Sequence, residues 1–176
     1  MPDATGLELI RHELGDAVLD SSFLRERAVL EVRAERIRDV LAALRLKGYA
    51  FLASLHGVDY HPDEPRLGVL YELLDMARVD RIAVKLRVRS DDAVVDSIVP
   101  DGAPDGGDGH IGWPAANFQE REVYDMFGVV FRGHPDPRRI LMPEDYEGHP
   151  QRRDFPVGGE PIIFTYNESP KLEGAE

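Results

Sequence analysis

Two histidines and the acidic residues between them are the side chains best suited to chemistry in this sequence. His134 and His149 each lie in a Gly-His-Pro tripeptide, with Glu144, Asp145 and Glu147 between them. Hydrolytic metal sites use imidazole and carboxylate ligands, but this spacing does not match His-Glu-x-x-His or a similar helical pair. A residue before proline has a restricted, extended backbone, which is more typical of a turn whose imidazole bonds a backbone group. The sequence therefore gives only weak support to a small metal-dependent hydrolase that uses His134, His149 and Asp145.

The composition excludes several other kinds of site. The 176 residues include no cysteine, so the chain supplies no thiolate nucleophile and no cysteine ligand for zinc or an iron–sulfur cluster. Any redox centre must then belong to another polypeptide. Lys and Arg total 21 against 33 Asp and Glu, and the net charge of -12 argues against nucleic acid as a partner. No apolar stretch has the length of a membrane span or a secretory signal, so the expected compartment is the cytoplasm.

The helix predicted after Trp113 places a carboxylate among apolar side chains. Pro114 suits the first helical position and Gly128 suits the end, which together delimit one helix. At about 100° per residue, Glu120 falls in the middle of the apolar stripe of this helix. The stripe consists of Ala116, Val123 and Phe127. The charged residues that point elsewhere are Arg121, Glu122 and Asp125.

The position of Glu120 predicts a partner cation, because a carboxylate on the packing face of a helix is costly unless it is paired. The nearest cations downstream are Arg138 and Arg139, and we expect one of them to form an ion pair with Glu120. The alternative is a fraying helix in which Glu120 stays close to solvent. If Glu120 forms this ion pair, Glu120→Gln should weaken folding or docking more than Glu122→Gln does.

The C-terminal part of the chain is predicted to be an extended arm. Residues 132–156 contain five Pro, five Arg and five acidic residues, and proline at this density prevents helices and strands. The segment also holds apolar anchors that a purely solvated tail would not need. These anchors are Ile140, Leu141, Met142, Tyr146 and Phe155. Because arginine makes bidentate bonds to carboxylates, the charges can pair within the arm or across an interface. We predict that an arm over residues 132–176 docks on partner subunits.

The elements that must position this helix and arm form one predicted domain over residues 1–131. Helical spacing of apolar residues predicts helices at 5–14 and 34–47, and apolar runs predict strands within 17–32 and at 49–55 and 67–74. Residues 81–89 alternate between apolar and basic side chains. This pattern indicates a strand with a buried face and a basic face that is either solvated or, less favoured, a docking surface.

The fold class predicted from these elements is α+β. It comprises a mixed or antiparallel sheet, mostly in consecutive strand order, with two helices packed on one face. A further helix carries the Glu-Arg-Glu triplet at 120–122, and the Pro-rich arm follows it. The Gly-rich stretch at 100–109 is expected to be a flexible loop within the domain.

The stretch from residue 117 to residue 156 reads NFQEREVYDMFGVVFRGHPDPRRILMPEDYEGHPQRRDFP. It resembles the signature region of the C subunit of NADH-quinone oxidoreductase, which belongs to the peripheral arm of respiratory complex I. The resemblance implies interface or structural roles for Glu120, Arg121, Glu122, Asp125, Gly128, His134, Arg138, Arg139, Asp145, Arg152, Arg153 and Asp154. It implies no catalytic, cofactor-binding or metal-binding residue in this chain.

The resemblance also implies a role within a larger enzyme. The chain would be a non-catalytic assembly subunit of a proton-translocating NADH:quinone oxidoreductase, with no turnover when isolated. FMN and iron–sulfur clusters would lie in partner subunits. The partners would be other peripheral-arm subunits of complex I, chiefly the quinone-site subunit and the adjacent iron–sulfur subunits. The complex would hold the chain peripherally on the cytoplasmic side of a bacterial plasma membrane. The same signature fits the equivalent subunit of a membrane-bound nickel–iron hydrogenase or a related dehydrogenase.

Overall fold

The computed structural model describes residues 4–24, 27–100 and 112–156. Within them, in chain order, the elements are α1 (Ala4–Leu14), β1 (Val18–Leu24), β2 (Arg27–Val32), α2 (Ile37–Leu46), β3 (Phe51–Asp59), β4 (Leu67–Asp75), β5 (Asp80–Val88), β6 (Val94–Asp96), α3 (Ala116–Phe127) and β7 (Val130–Arg132). Short 3₁₀ turns at Gly15–Ala17 and Ala34–Arg36 precede β1 and α2. None of the helices in this part of the chain is long and apolar enough to cross a lipid bilayer.

Five strands form one mixed sheet in the order β1-β2-β5-β4-β3. The strands β3, β4 and β5 are antiparallel neighbours, and β1 pairs antiparallel with β2. The strand β5 lies parallel to β2, so the chain leaves β2, passes through α2 and returns to β2 three strands later. The mixed sheet is confirmed, and three of the four neighbouring pairs in this sheet are consecutive along the chain, as predicted. The pairing of β2 with β5 departs from that order, because a local pattern does not specify which strand occupies the centre. The strands β6 and β7 form a separate parallel pair.

One face of the large sheet forms the core together with the helices. Along β5, Ile82, Val84 and Leu86 are completely buried, as their alternation with basic residues predicted. The buried stripe of α2 consists of Ile37, Val40, Leu41 and Leu44. Leu7 and Ile10 of α1, and Ala116 and Val123 of α3, belong to the same hydrophobic cluster. The predicted elements up to β5 are therefore confirmed, with boundaries shifted by a few residues.

On the basic face of β5, Lys85 is paired with an acidic residue of a neighbouring strand, and the Arg87 guanidinium carbon lies 4.2 Å from the centroid of the Tyr60 ring. Lys85 Nζ lies 2.8 Å from Glu31 Oε2 of β2. Next to this pair, Arg27 Nη1 of β2 lies 2.5 Å from Glu72 Oε1 of β4. Such cross-strand pairs agree with a solvated face, which was the preferred interpretation of the sequence pattern.

The described part of the arm lies on the domain. Residues 133–156 form turns and bends without a helix or strand, as the proline density predicted. The Gln151 N–H donates to Met126 O in α3 over 3.1 Å, and the Arg153 N–H donates to Asp59 Oδ2 over 2.7 Å. Residues 101–109 of the Gly-rich loop and residues 157–176 of the arm lie outside the described residues. Docking of the arm on partner subunits stays a prediction.

Candidate functional site

Helix α3 is fixed at both ends by main-chain contacts. Before its start, the Trp113 N–H donates to Ile98 O over 2.9 Å. At its end, Gly128 has φ of +74° and donates its N–H to Tyr124 O over 2.8 Å, which confirms the predicted end of the helix. This left-handed conformation favours glycine, and a Cβ here would lie 2.5 Å from His149 Nε2. The arm and the helix end are therefore packed too closely for a side chain at residue 128.

Glu120 is completely buried between α3 and the segment that follows β6. Its Oε2 accepts a hydrogen bond from Ser97 Oγ at 2.6 Å, and its Oε1 accepts one from the Ile98 N–H at 2.8 Å. His134 Nε2 lies 3.9 Å from Oε2. Burial outweighs the hydrogen bonds and raises the pKa of Glu120 to about 7. The position of Glu120 on the packing face is thus as predicted.

The predicted ion pair between Glu120 and Arg138 or Arg139 is wrong. Arg138 Nε lies 2.6 Å from Asp136 Oδ1, and Arg139 Nη1 lies 2.5 Å from Asp125 Oδ1. Both arginines lie on the arm side of α3, whereas Glu120 faces the core. Both arginines are thus paired with other carboxylates, and a hydroxyl and a main-chain N–H serve as the hydrogen-bond donors to Glu120 instead.

Asp125 makes the buried ion pair that we had predicted for Glu120. Its side chain is completely buried, and its Oδ2 accepts the N–H groups of three consecutive arm residues. The distances are 3.0 Å to Ile140, 2.7 Å to Leu141 and 2.8 Å to Met142. Burial raises the pKa of Asp125, but these donors and the Arg139 guanidinium outweigh it and hold the pKa below its ordinary value. Asp125 is the point at which the arm is fixed to α3.

Arg121 ties the arm to α3 at a second point. Its Nε donates to Arg138 O over 3.0 Å and its Nη2 donates to Arg139 O over 3.3 Å. Its Nη1 lies 3.4 Å from Asp136 Oδ2. Glu122 is exposed. Of the Glu-Arg-Glu triplet, the first residue therefore faces the core, the second faces the arm and the third faces solvent.

The two histidines of the Gly-His-Pro tripeptides bond backbone groups, as the proline context predicted. His134 Nδ1 accepts the Asp136 N–H at 3.0 Å, and its Nε2 lies 3.1 Å from Asn117 O. His149 Nδ1 lies 3.0 Å from Asp125 O. Burial lowers the pKa of both histidines. His134 uses both ring nitrogens in these contacts, so it has no free lone pair for a metal ion.

The acidic residues between the histidines lie at the surface. Asp145 is exposed, as are Glu144 and Glu147. In the part of the chain that the structure covers, no group of three His, Asp or Glu residues is arranged to hold a metal ion. The geometry therefore gives no support to the metal-dependent hydrolase.

The end of the described arm is fixed by a buried arginine that the sequence did not single out. Arg66 bonds both carboxylate oxygens of Asp59 at 2.8 and 2.7 Å, and both of Asp154 at 2.7 and 2.6 Å. Arg66 holds the pKa of Asp59 well below its usual range. The Arg153 side chain donates to a carbonyl of the β3–β4 loop over 3.0 Å, and Arg152 donates to the last carbonyl of α3 over 2.6 Å. The sequence signal for this site was a cluster of charged residues beside an apolar strand. Asp154 lies so far from Arg66 along the chain that local sequence pattern could not identify it as the partner of Arg66.

Comparisons with known proteins point to one family. The sequence model of a family described as "Respiratory-chain NADH dehydrogenase, 30 Kd subunit" matches residues 30–161. The C subunit of NADH-quinone oxidoreductase from Roseiflexus sp. (strain RS-1) is 44% identical over 172 residues, which cover 96% of this chain and 92% of the relative. NADH-quinone oxidoreductase subunit 5 of Thermus thermophilus is 40% identical over 139 residues, which cover 74% of this chain and 62% of that protein.

Two solved structures are similar in fold. A trypsin-resistant fragment of Nqo5 has a TM-score of 0.62 and 29% identity, covering 77% of this chain and 99% of the fragment. A chain of the membrane-bound sulfane sulfur reductase, an archaeal respiratory membrane complex, has a TM-score of 0.68 and 26% identity, covering 87% of this chain and 86% of that chain. The curated relatives are named as subunits of NADH-quinone oxidoreductase, so the chain is part of an oxidoreductase complex. The protein belongs to the family of the 30 kDa subunit of respiratory-chain NADH dehydrogenase.

Proposed function

We propose that this chain is a non-catalytic assembly subunit of the peripheral arm of a proton-translocating NADH:quinone oxidoreductase. The observation that supports this role is how the charged residues of the signature are used. Asp125, Arg139 and Arg152 bond main-chain groups or one another, so they hold the arm on α3 and present no free acid, base or nucleophile to a substrate. The chain would contribute by holding the quinone-site subunit and the iron–sulfur subunits at fixed relative positions.

The partners, cofactors and location follow from this role. The chain has no cysteine, and we propose that FMN and the iron–sulfur clusters are held by partner subunits. The partners are the quinone-site subunit and the adjacent iron–sulfur subunits, and the net charge of -12 disfavours nucleic acid. The chain would lie on the cytoplasmic side of a bacterial plasma membrane, associated with the membrane through the complex.

The fold similarity to a chain of an archaeal respiratory membrane complex favours a second candidate. The chain could be the equivalent subunit of a membrane-bound nickel–iron hydrogenase or a related dehydrogenase. The two candidates differ in the partner subunits of the chain, and the structure of the chain itself is compatible with both. Identification of the co-purified subunits separates them: an NADH-oxidising flavoprotein supports the first, and a nickel–iron subunit supports the second.

The test is purification of the tagged full chain with its complex from native membranes. We expect the quinone-site and iron–sulfur subunits to co-purify, and the isolated chain to be colourless and free of turnover. Arg139→Gln should lower the yield of complex while each remaining complex keeps its cofactors, because this substitution loosens the arm at Asp125. Arg89→Gln is the matched control, since Arg89 is 66% exposed in a surface ion pair. Turnover of the isolated chain with NADH and a quinone analogue would contradict the proposal.

A further inference from the structure

A cavity of about 480 Å³ opens at the carboxyl ends of β2 and β5. Its wall includes Val32 and Val88, the last residues of these strands, and Pro65 of the β3–β4 loop. The two strands are parallel neighbours, and a crevice at the carboxyl ends of parallel strands is a common place for a ligand. The volume is within the range of about 300 to 1,000 Å³ that is usual for binding sites. The cavity is therefore large enough to admit a group from another molecule.

Arg87 also lines this cavity, and its guanidinium lacks hydrogen-bond acceptors. In the part of the chain that the structure describes, its Nε and Nη2 are shielded from water and donate to no acceptor. These two nitrogens form one edge of the guanidinium, the edge with which arginine can bind both oxygens of a carboxylate. Leaving buried donors of a charged group unsatisfied is costly. This cost favours an acceptor that comes from another molecule.

The ring of Tyr60 holds the Arg87 guanidinium in place. The guanidinium carbon lies 4.2 Å from the ring centroid, which is a cation–π distance. The ring is packed on β4 so closely that a Cβ at Gly68 would lie 2.6 Å from it, and Gly68 is the β4 residue that pairs with Arg87. The orientation of the guanidinium is therefore set before a ligand binds, which lowers the entropic cost of binding.

The net charge around the cavity does not select the ligand. Arg132 Nη2 lies 2.6 Å from Asp96 Oδ1, and Arg89 Nη2 lies 2.9 Å from Asp91 Oδ2. Besides Arg87, the remaining charged residues in the wall are Arg33, Glu35 and Asp92. Four arginines thus accompany four carboxylates, with Asp91 included. The unsatisfied edge of Arg87, rather than an excess of positive charge, indicates what binds here.

We propose that Arg87 binds the carboxylate of one Asp or Glu side chain of a partner subunit, which enters this cavity. The inference rests on the proposed function, because it gives the chemistry of one contact in the assembled complex. The two oxygens of a carboxylate match the two donors of Arg87, and its single charge is repelled less by Glu35 and Asp92 than the double charge of a phosphate. Because Arg87 is only half-buried, a small movement of the surrounding side chains is enough to open its edge to the cavity.

The surroundings of the cavity favour a protein as the source of the carboxylate. Leu19 and Val94 line the same cavity and are 50% and 39% exposed. A docking protein surface covers these apolar side chains and excludes water from the ion pair, whereas a free small carboxylate does not. A second copy of this chain is disfavoured, because two chains with a net charge of -12 repel each other.

The test measures Arg87→Met in the isolated full chain and in the complex. Methionine keeps an apolar, polarizable side chain against Tyr60 but removes the charge and the donors. The melting temperature of the isolated variant should equal or exceed that of wild type, because an unpaired, partly buried charge is removed. The yield of complex should fall at least about tenfold, because the carboxylate of the partner loses its counter-charge. Arg81→Met is the matched control, since Arg81 is exposed on the same strand outside the cavity, and it should change neither quantity.

Photo-crosslinking locates the partner's carboxylate. p-Benzoylphenylalanine replaces the exposed Leu19, and the crosslinked peptide is identified by mass spectrometry after irradiation of the complex. Each Asp or Glu of that peptide is then changed to Asn or Gln. We expect one of these changes to lower the yield of complex as much as Arg87→Met does, and the double variant to lower it no further.

The possible outcomes separate this contact from the proposed function. A lower melting temperature or a failure to fold of isolated Arg87→Met would give Arg87 a structural role and overturn the inference. Wild-type yield of complex with Arg87→Met would also overturn it, as would a crosslink to a second copy. A small carboxylate that native mass spectrometry finds on wild type but not on Arg87→Met would contradict the partner as its source. If wild type itself fails to co-purify with partner subunits, the proposed function fails.

Discussion

Glu120→Gln should stabilise the protein above neutral pH, which is the opposite of what the sequence alone suggested. Burial raises the pKa of Glu120 from 4.5 to about 7, because the carboxylate lies in the core and its two hydrogen-bond donors are uncharged. Such a group binds its proton more tightly in the folded state than in the unfolded state. Its contribution to stability is therefore fully present below pH 4.5 and is lost as the pH rises through about 7.

The size of the effect follows from the same rise in pKa. Each pKa unit corresponds to about 1.4 kcal/mol, so ionisation of Glu120 lowers the free energy of unfolding by about 3 kcal/mol between acid and mildly alkaline pH. Glutamine is neutral at every pH and has nearly the same shape, and it can still accept the hydrogen bond from the Ile98 N–H. The variant should match wild type below about pH 4.5 and exceed it by about 3 kcal/mol at pH 8.

The assay is chemical denaturation of both proteins across about pH 5 to 8.5, with the difference in unfolding free energy plotted against pH. Taking the difference cancels titrations that both proteins share, such as that of His149, whose lowered pKa makes stability fall as the pH falls. Glu122→Gln is the matched control, because Glu122 is exposed on the same helix, and its difference curve should be flat. A flat curve for Glu120→Gln, or a variant weaker than wild type at pH 8, would refute this reasoning and restore an ionised, paired Glu120.

Two further substitutions test the contacts between α3 and the arm by chemical and thermal denaturation. Asp125→Asn should lower the free energy of unfolding by about 3 to 5 kcal/mol, because it removes one half of a buried ion pair, whereas Asp145→Asn at an exposed site should change it by less than about 0.5 kcal/mol. Gly128→Ala should lower the melting temperature more than Gly133→Ala, since both have positive φ but only residue 128 would press a Cβ against His149. Equal effects within either pair would contradict the packing described.

The elements that the sequence predicted correctly are those specified by local periodicity. The stripe of α2 and the alternation of β5 each record which side of one element is buried, and the structure follows both. The end of α3 could be predicted from Gly128, because ending the helix there depends only on the backbone conformation of this one residue. The parallel pairing of β2 with β5 was missed, since it depends on contacts between segments about 50 residues apart along the chain.

The charged contacts show where local pattern stops being informative. The pattern gave the direction of Glu120 correctly, but it could not show that the arginines of the arm would pair with Asp136 and Asp125 instead. Asp125 lay off the apolar stripe, so it was expected to point away from the packing face. It is buried nonetheless, because the arm covers the other side of the helix. The expectation that only the apolar stripe of a helix is buried fails when a segment without regular secondary structure packs on the opposite face.

Helix α3 therefore has two buried carboxylates in opposite electrostatic situations. Glu120 faces the core and gains a proton readily, whereas Asp125 faces the arm and is held ionised by Arg139 and by three N–H groups. Detaching the arm would remove four donors from Asp125, and water would have to replace them. This penalty favours an arm that is already in place before any partner arrives, so docking needs little further ordering of the chain. A partner that docked here would meet a preformed surface, and its affinity would depend on the contacts with that surface rather than on folding of the arm.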